Sequence, residues 1–237
     1  MLHVEACEVA LFFYFFGGMK LNIKLKIALG CLLAAFAVGA SAQSSFEGFY
    51  GQVGIGFEDD DLNFTGGQAR GDDYVVPVND QSQYFAVALS VGGYRSISEK
   101  FLLGAGVDYS PLSGKSAPYA LVVPAAELTI NGSYEKKDSY TVFISPAYAL
   151  DNDRMVYGKL GYTGMDLEST VAGAKDTGSY TGFAVGVGYK QMFADNRIFG
   201  FVETNYYSYS SEADGNGFSG NNAPRNFSIL AGVGIKF

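Results

Sequence analysis

The last twelve residues constrain the fold more than any other stretch of the chain. From Asn226 to Phe237, the residues Phe227, Ile229, Ala231, Val233, Ile235 and Phe237 are apolar, and Asn226, Ser228, Gly232, Gly234 and Lys236 between them are small or polar; Leu230 alone breaks the alternation. A period of two marks a β-strand, whose side chains point alternately to opposite faces. One face here is greasy throughout and needs an apolar surface against it. The other is small and polar, and suits an enclosed polar interior better than a second sheet, as in a barrel strand set in lipid.

The opposite end of the chain supports that setting. Lys20, Lys24 and Lys26 precede an apolar run from Ile27 to Gly39, followed by Ala40-Ser41-Ala42-Gln43. This is the charged region, apolar region and small-residue site of a secretory signal peptide, expected to be cut after Ala42. The run is well short of the roughly 20 residues that a transmembrane helix needs. Cys31 offers a rival reading as a lipoprotein site, but Ala28-Leu29-Gly30 puts the leucine one place too late. Residues 1–18 carry Glu5 and Glu8 and stand outside this scheme, because a signal peptide beginning at Met19 is complete without them. The expected organisation is therefore an upstream extension over 1–18, a signal peptide over 19–42 and a β-barrel domain over 43–237.

Removing 1–42 takes away Cys7, Cys31 and His3, so the mature chain has no thiol or imidazole chemistry. Lysine plus arginine falls from 16 to 13 and aspartate plus glutamate from 24 to 22, a net charge of -9. Nucleic acid is excluded as a partner, since it requires a basic footprint. The whole chain is 48% hydrophobic with 31 glycines, yet beyond Ala42 no apolar run reaches helical-span length. Apolar residues spread in alternation suit a barrel in lipid rather than a bundle of helices.

Alternation predicts eight strands: 47–57, 83–94, 100–110, 139–150, 155–164, 180–190, 197–209 and the closing one. Short turns at 95–99 and 151–154 alternate with longer connections, the layout of an eight-stranded antiparallel transmembrane β-barrel with both termini in the periplasm. Bulky apolar residues such as Val53, Phe85, Leu103, Ile144, Leu160 and Phe183 share the face opposite Gln52, Asp108, Lys159 and Glu203. They are expected to face lipid, and those four polar residues the lumen. Asp108, Lys159 and Glu203 read either as a charged gate or as an ion network that fills a narrow barrel, because eight strands leave just enough room for side chains.

The stretch Ile144-Ser-Pro-Ala-Tyr-Ala-Leu-Asp-Asn-Asp-Arg-Met-Val-Tyr-Gly-Lys-Leu-Gly-Tyr162 resembles the strand-turn-strand signature of the small outer-membrane β-barrel family, which includes the OmpA membrane domain, OmpX/Ail-type proteins and the neisserial opacity proteins. Gly48-Phe-Tyr-Gly-Gln-Val-Gly54 and Gly232-Val-Gly-Ile-Lys-Phe237 resemble its first and last strands. The terminal aromatic Phe237, with Ile235 and Val233 on the same face, resembles the signal by which such barrels are recognised and inserted. The resemblance implies an outer-membrane location, contact with outer-membrane lipids and lipopolysaccharide, and handling by the outer-membrane assembly machinery. It also implies a structural or adhesin-like role through external loops that meet a host or cell-surface ligand, the alternative being a narrow porin-like channel. The family's histidine-dependent enzymes are excluded by the missing histidine, and neither catalysis nor a cofactor is expected.

Two loops stand out. The first carries the acids at 58, 59, 60, 61, 72, 73 and 80 against Arg70 alone, and reads as a solvated acidic loop rather than a divalent-cation site. It also holds Arg70-Gly71-Asp72, a tripeptide that integrins bind and that recurs by chance. The second, 111–138, is unusually apolar; it either extends its flanking strands above the membrane or forms an extra hairpin, giving ten strands.

Overall fold

The computed structural model describes residues 44–61, 74–77, 81–123, 127–171, 173–193, 197–210 and 224–237. The expected upstream extension, the signal peptide with its cleavage site and Arg70-Gly71-Asp72 lie outside the described residues. The described residues form ten strands in one antiparallel sheet: β1 Gly48–Asp61, β2 Tyr74–Pro77, β3 Gln81–Ser96, β4 Phe101–Ser110, β5 Ala117–Val123, β6 Leu128–Ala149, β7 Arg154–Val171, β8 Ala174–Met192, β9 Ile198–Ser210 and β10 Arg225–Lys236. Eight of them close a ring in the order β1, β3, β4, β6, β7, β8, β9, β10, with β10 returning to β1 in the register Val53↔Val233. Closure leaves no open edge in the lipid zone, where an unpaired backbone group would find no water.

The two remaining strands answer the question posed by the second loop. β5 pairs with the first part of β6 (Ala117↔Tyr134) directly beyond the stretch that pairs with β4 (Ser110↔Ser139), and β2 pairs in turn with β5. A bond from the Gly114 N–H to the Lys136 carbonyl at 2.7 Å carries the ladder across the interval. β4 and β5 are thus one interrupted strand, and the ring itself has eight members, not ten. β6, β7 and β8 also begin or end well beyond the expected limits, so this side of the barrel rises as a tall wall. The β7–β8 hairpin turns at its top through Gly173, whose φ of +84° is one that glycine adopts without steric cost.

The outward face carries Phe57, Phe85, Phe101, Ile144, Leu160, Phe183, Val202 and Ile229, all exposed, as lipid requires. Val107, which the alternation of β4 puts in phase with Phe101 and Leu103, is instead buried. Phe143 and Leu230, which break the sequence alternation, are in phase with the inward face and buried there. The irregular β9 has the same cause: Phe199 and Phe201 point into the lumen. Inward glycines make room for such rings. A Cβ on Gly188 would lie 2.4 Å from the Tyr157 ring, and one on Gly234 would lie 2.2 Å from the Phe199 ring.

One expectation is corrected at the end of β1 that lies away from the termini. Glu58 to Asp61 belong to the strand and not to a solvated loop, continuing the ladder with β10 as far as Asp61↔Arg225. Alternation turns Glu58 and Asp60 inward, where both are buried, while Asp59 and Asp61 fall on the outer face beyond the last lipid-facing ring, Phe57. At the other end, the β6–β7 turn is stapled by Asp151, whose carboxylate accepts from the N–H groups of Asp153 (3.0 Å) and Arg154 (2.8 Å) and from the Arg154 side chain (2.6 Å). Those arginine contacts hold the Asp151 carboxyl below its usual range.

Candidate functional site

The inward positions of β4, β7 and β9 bring three of the four expected lumen residues together. Lys159 Nζ donates to Asp108 Oδ2 at 2.7 Å and to Glu203 Oε1 at 2.8 Å. Glu203 also accepts from the Tyr157 hydroxyl at 2.6 Å and from Asn205 Nδ2 at 2.8 Å, and Lys159 lies 4.4 Å from the centre of the Phe143 ring. A buried ammonium is tolerable when its charge is matched and its protons are used, and here it meets two carboxylates and a ring face. Gln52 also lies buried in the lumen, but its Nε2 donates to Ser90 Oγ at 3.4 Å.

Two further polar clusters escaped sequence reasoning. Lys190 is buried in a cage of rings, with Nζ 3.6 Å from the Tyr50 centroid, 4.6 Å from Phe199 and 5.2 Å from both Tyr94 and Tyr157. Its signal was available, because it continues the inward series Gly182, Ala184, Gly186, Gly188. The second cluster lies towards the end away from the termini, at Glu58 and Asp60. Lys136 pairs with Glu58 Oε1, Asn226 Nδ2 donates to the same oxygen at 2.9 Å, and the Tyr84 hydroxyl donates to Asp60 Oδ2 at 2.9 Å. Lys136 could not have been placed from alternation. A bulge between Lys136 and Ser139 reverses the phase of β6, so that Tyr134 and Lys136 turn inward on one side of it and Thr141 and Phe143 on the other.

The lumen is thus stacked in layers. At the end where the chain enters, Phe46, Tyr50, Tyr94, Leu102, Met155, Met192 and Phe199 belong to one buried apolar cluster, which includes rings of the Lys190 cage. Next come the Lys159 network and then Thr141, Thr163 and Tyr209, linked by hydroxyl contacts of 3.0 and 3.4 Å, with the Lys136 cluster beyond. A cavity of about 20 Å³, bordered by Glu58, Asp108, Thr141, Tyr207 and Ser228, has room for about one water molecule. On the outside, Val233, Ile235 and Phe237 project from the lipid face, and the Phe237 N–H donates to the Phe49 carbonyl at 2.9 Å, so the ladder runs to the last residue.

Among solved structures the chain is similar to Ail, the attachment invasion locus protein of Yersinia pestis (12% identity, 80% of this chain and 99% of that one, TM-score 0.44). It is also similar to neisserial surface protein A (17% identity, 81% and 98%, TM-score 0.44) and to OprG of Pseudomonas aeruginosa (14% identity, 83% and 99%, TM-score 0.44). No curated protein matches it in sequence. The outer membrane protein beta-barrel domain model, however, matches residues 28–237, in agreement with the closed antiparallel ring and its lipid-facing exterior. The chain belongs to that family, and is a β-barrel protein of the outer membrane.

Proposed function

We propose that this barrel is a structural or surface-interaction protein, adhesin-like and without catalysis, that works through its outer wall and loops. The filled lumen carries the reading. A conducting path needs a continuous column of water, and along this axis the ring cage, the Lys159 network, the threonine-tyrosine layer and the Lys136 cluster follow one another. The tall wall of β2, β5, β6, β7 and β8 supports the same reading, since it offers a host or cell-surface ligand a rigid platform clear of the bilayer. Both termini lie in the periplasm in this reading, together with the short turns. The outer face meets membrane lipids and lipopolysaccharide, and Phe237, Ile235 and Val233 are presented to the assembly machinery.

Single-channel recording in planar bilayers tests it. The expected result is no steady current from the purified, folded barrel. Steady openings would replace the reading with a narrow channel for ions or small solutes.

A further inference from the structure

We infer that the outer end of the lumen holds a binding site for one singly charged hard cation, sodium being the probe, coordinated by Asp60 and Asn226. The site follows from an imbalance of charge and of hydrogen bonds. Among the described residues, two buried carboxylates on β1, Glu58 and Asp60, share the region with one buried ammonium, Lys136 of β6, and that ammonium pairs with Glu58. Asp60, 6% exposed, accepts from the Tyr84 hydroxyl on Oδ2 and lies within hydrogen-bonding reach of the Glu58 carboxyl, and its Oδ1 is buried with no donor among the described residues. Asn226, 2% exposed, is its register partner on β10; with Nδ2 committed to Glu58, its Oδ1 is likewise buried without a donor.

Two neighbouring acceptors that lack donors repel one another unless something positive lies between them. Ser82, the partner of Asp60 on β3, adds a third oxygen: its hydroxyl hydrogen goes to the Lys115 carbonyl at 3.1 Å, which leaves its lone pairs free. Among the described residues, the other titratable side chains that face Glu58, Asp60 or Lys136 are the tyrosines Tyr84 on β3 and Tyr207 and Tyr209 on β9. An all-oxygen set is what hard cations take. With both carboxylates ionised, two against one ammonium among the described residues leave one negative charge, so a single positive charge brings the layer to neutrality, the favoured condition in a poorly hydrated site.

The test uses the mature chain folded in phosphatidylcholine vesicles and unfolded in urea, with the folded fraction read from gel mobility before boiling. Sodium chloride is compared with choline chloride at equal ionic strength. Sodium at tenfold above its Kd should raise the folded-to-unfolded ratio about elevenfold relative to choline. Asp60→Asn should abolish the difference, and Asn226→Ala should raise the sodium concentration required. Asp61→Asn, one residue along and on the outer face, should leave it intact. Identical curves in the two salts, with stability following pH alone, would mean that Asp60 carries a proton and would overturn the site. A response to calcium but not to sodium would overturn the charge argument, and a sodium response that survives Asp60→Asn, or that Asp61→Asn also removes, would overturn the assignment.

Discussion

Replacing Lys159 by methionine, with both its carboxylates left in place, asks most directly whether the centre of the lumen is dry. The ammonium is 2.7 Å from Asp108 and 2.8 Å from Glu203, and the three side chains are 5%, 14% and 2% exposed. Methionine fills most of the volume but leaves two carboxylates facing each other without a counter-charge. Breaking a buried pair in this way costs about 3–5 kcal/mol. Glu203→Gln is the milder half of the cycle. Lys159 keeps Asp108, the amide oxygen can still accept from Lys159 or Asn205, and the Tyr157 hydroxyl can turn to accept from the new amide, so the loss is about 1.5–3 kcal/mol, that of a charged hydrogen bond. The double variant has only Asp108 left to neutralise. It should cost at least about 1 kcal/mol less than the sum of the two single changes, the signature of residues in one network. Equilibrium urea unfolding of the three variants beside the parent, in the same vesicles, measures all four corners. Additive losses near zero would refute the dry network and favour a wet channel, in which case the same changes should alter conductance.

Three other perturbations follow from the geometry. Lys190→Met should be at least about 1 kcal/mol less costly in urea than Lys159→Met, because Lys190 leaves behind only rings, and cation–π contacts are worth about 2 kcal/mol when desolvated. Gly188→Ala forces a methyl into the Tyr157 ring and with it the bond to Glu203, for a loss of about 1–3 kcal/mol, whereas Gly158→Ala on the outward face meets nothing nearer than 3.8 Å and should unfold as the parent does. Phe237→Asn should lower the amount of heat-modifiable barrel in outer-membrane fractions, since it replaces an exposed ring at the end of the closing strand with a polar amide; parental levels would show that the terminal aromatic is not read during assembly.

Alternation within single strands determined the class of fold, the lipid face and which residues turn inward. These are local consequences of a two-residue period, and a chain whose apolar face repeats from Val53 to Ile235 has few ways to satisfy both faces other than by closing around a polar lumen. The same periodicity made Asp108, Lys159 and Glu203 legible as lumen residues, and reveals Lys190 as well once the inward series of the strand predicted over 180–190 is read to its last residue. Only the tertiary structure decided which of these residues meet. Register between strands distant in sequence puts Lys159 between Asp108 and Glu203 while leaving Gln52 with Ser90. Strand ends were equally out of reach, because beyond the bilayer the outer face is no longer required to be apolar and the alternation that marks a strand fades; this is why Glu58 to Asp61 read as a loop. The pairing of Lys136 with Glu58 was the least accessible of all. It depends on a bulge in β6 that reverses the direction of every side chain beyond it, and a one-residue change of phase appears only when the strand is laid against its neighbours.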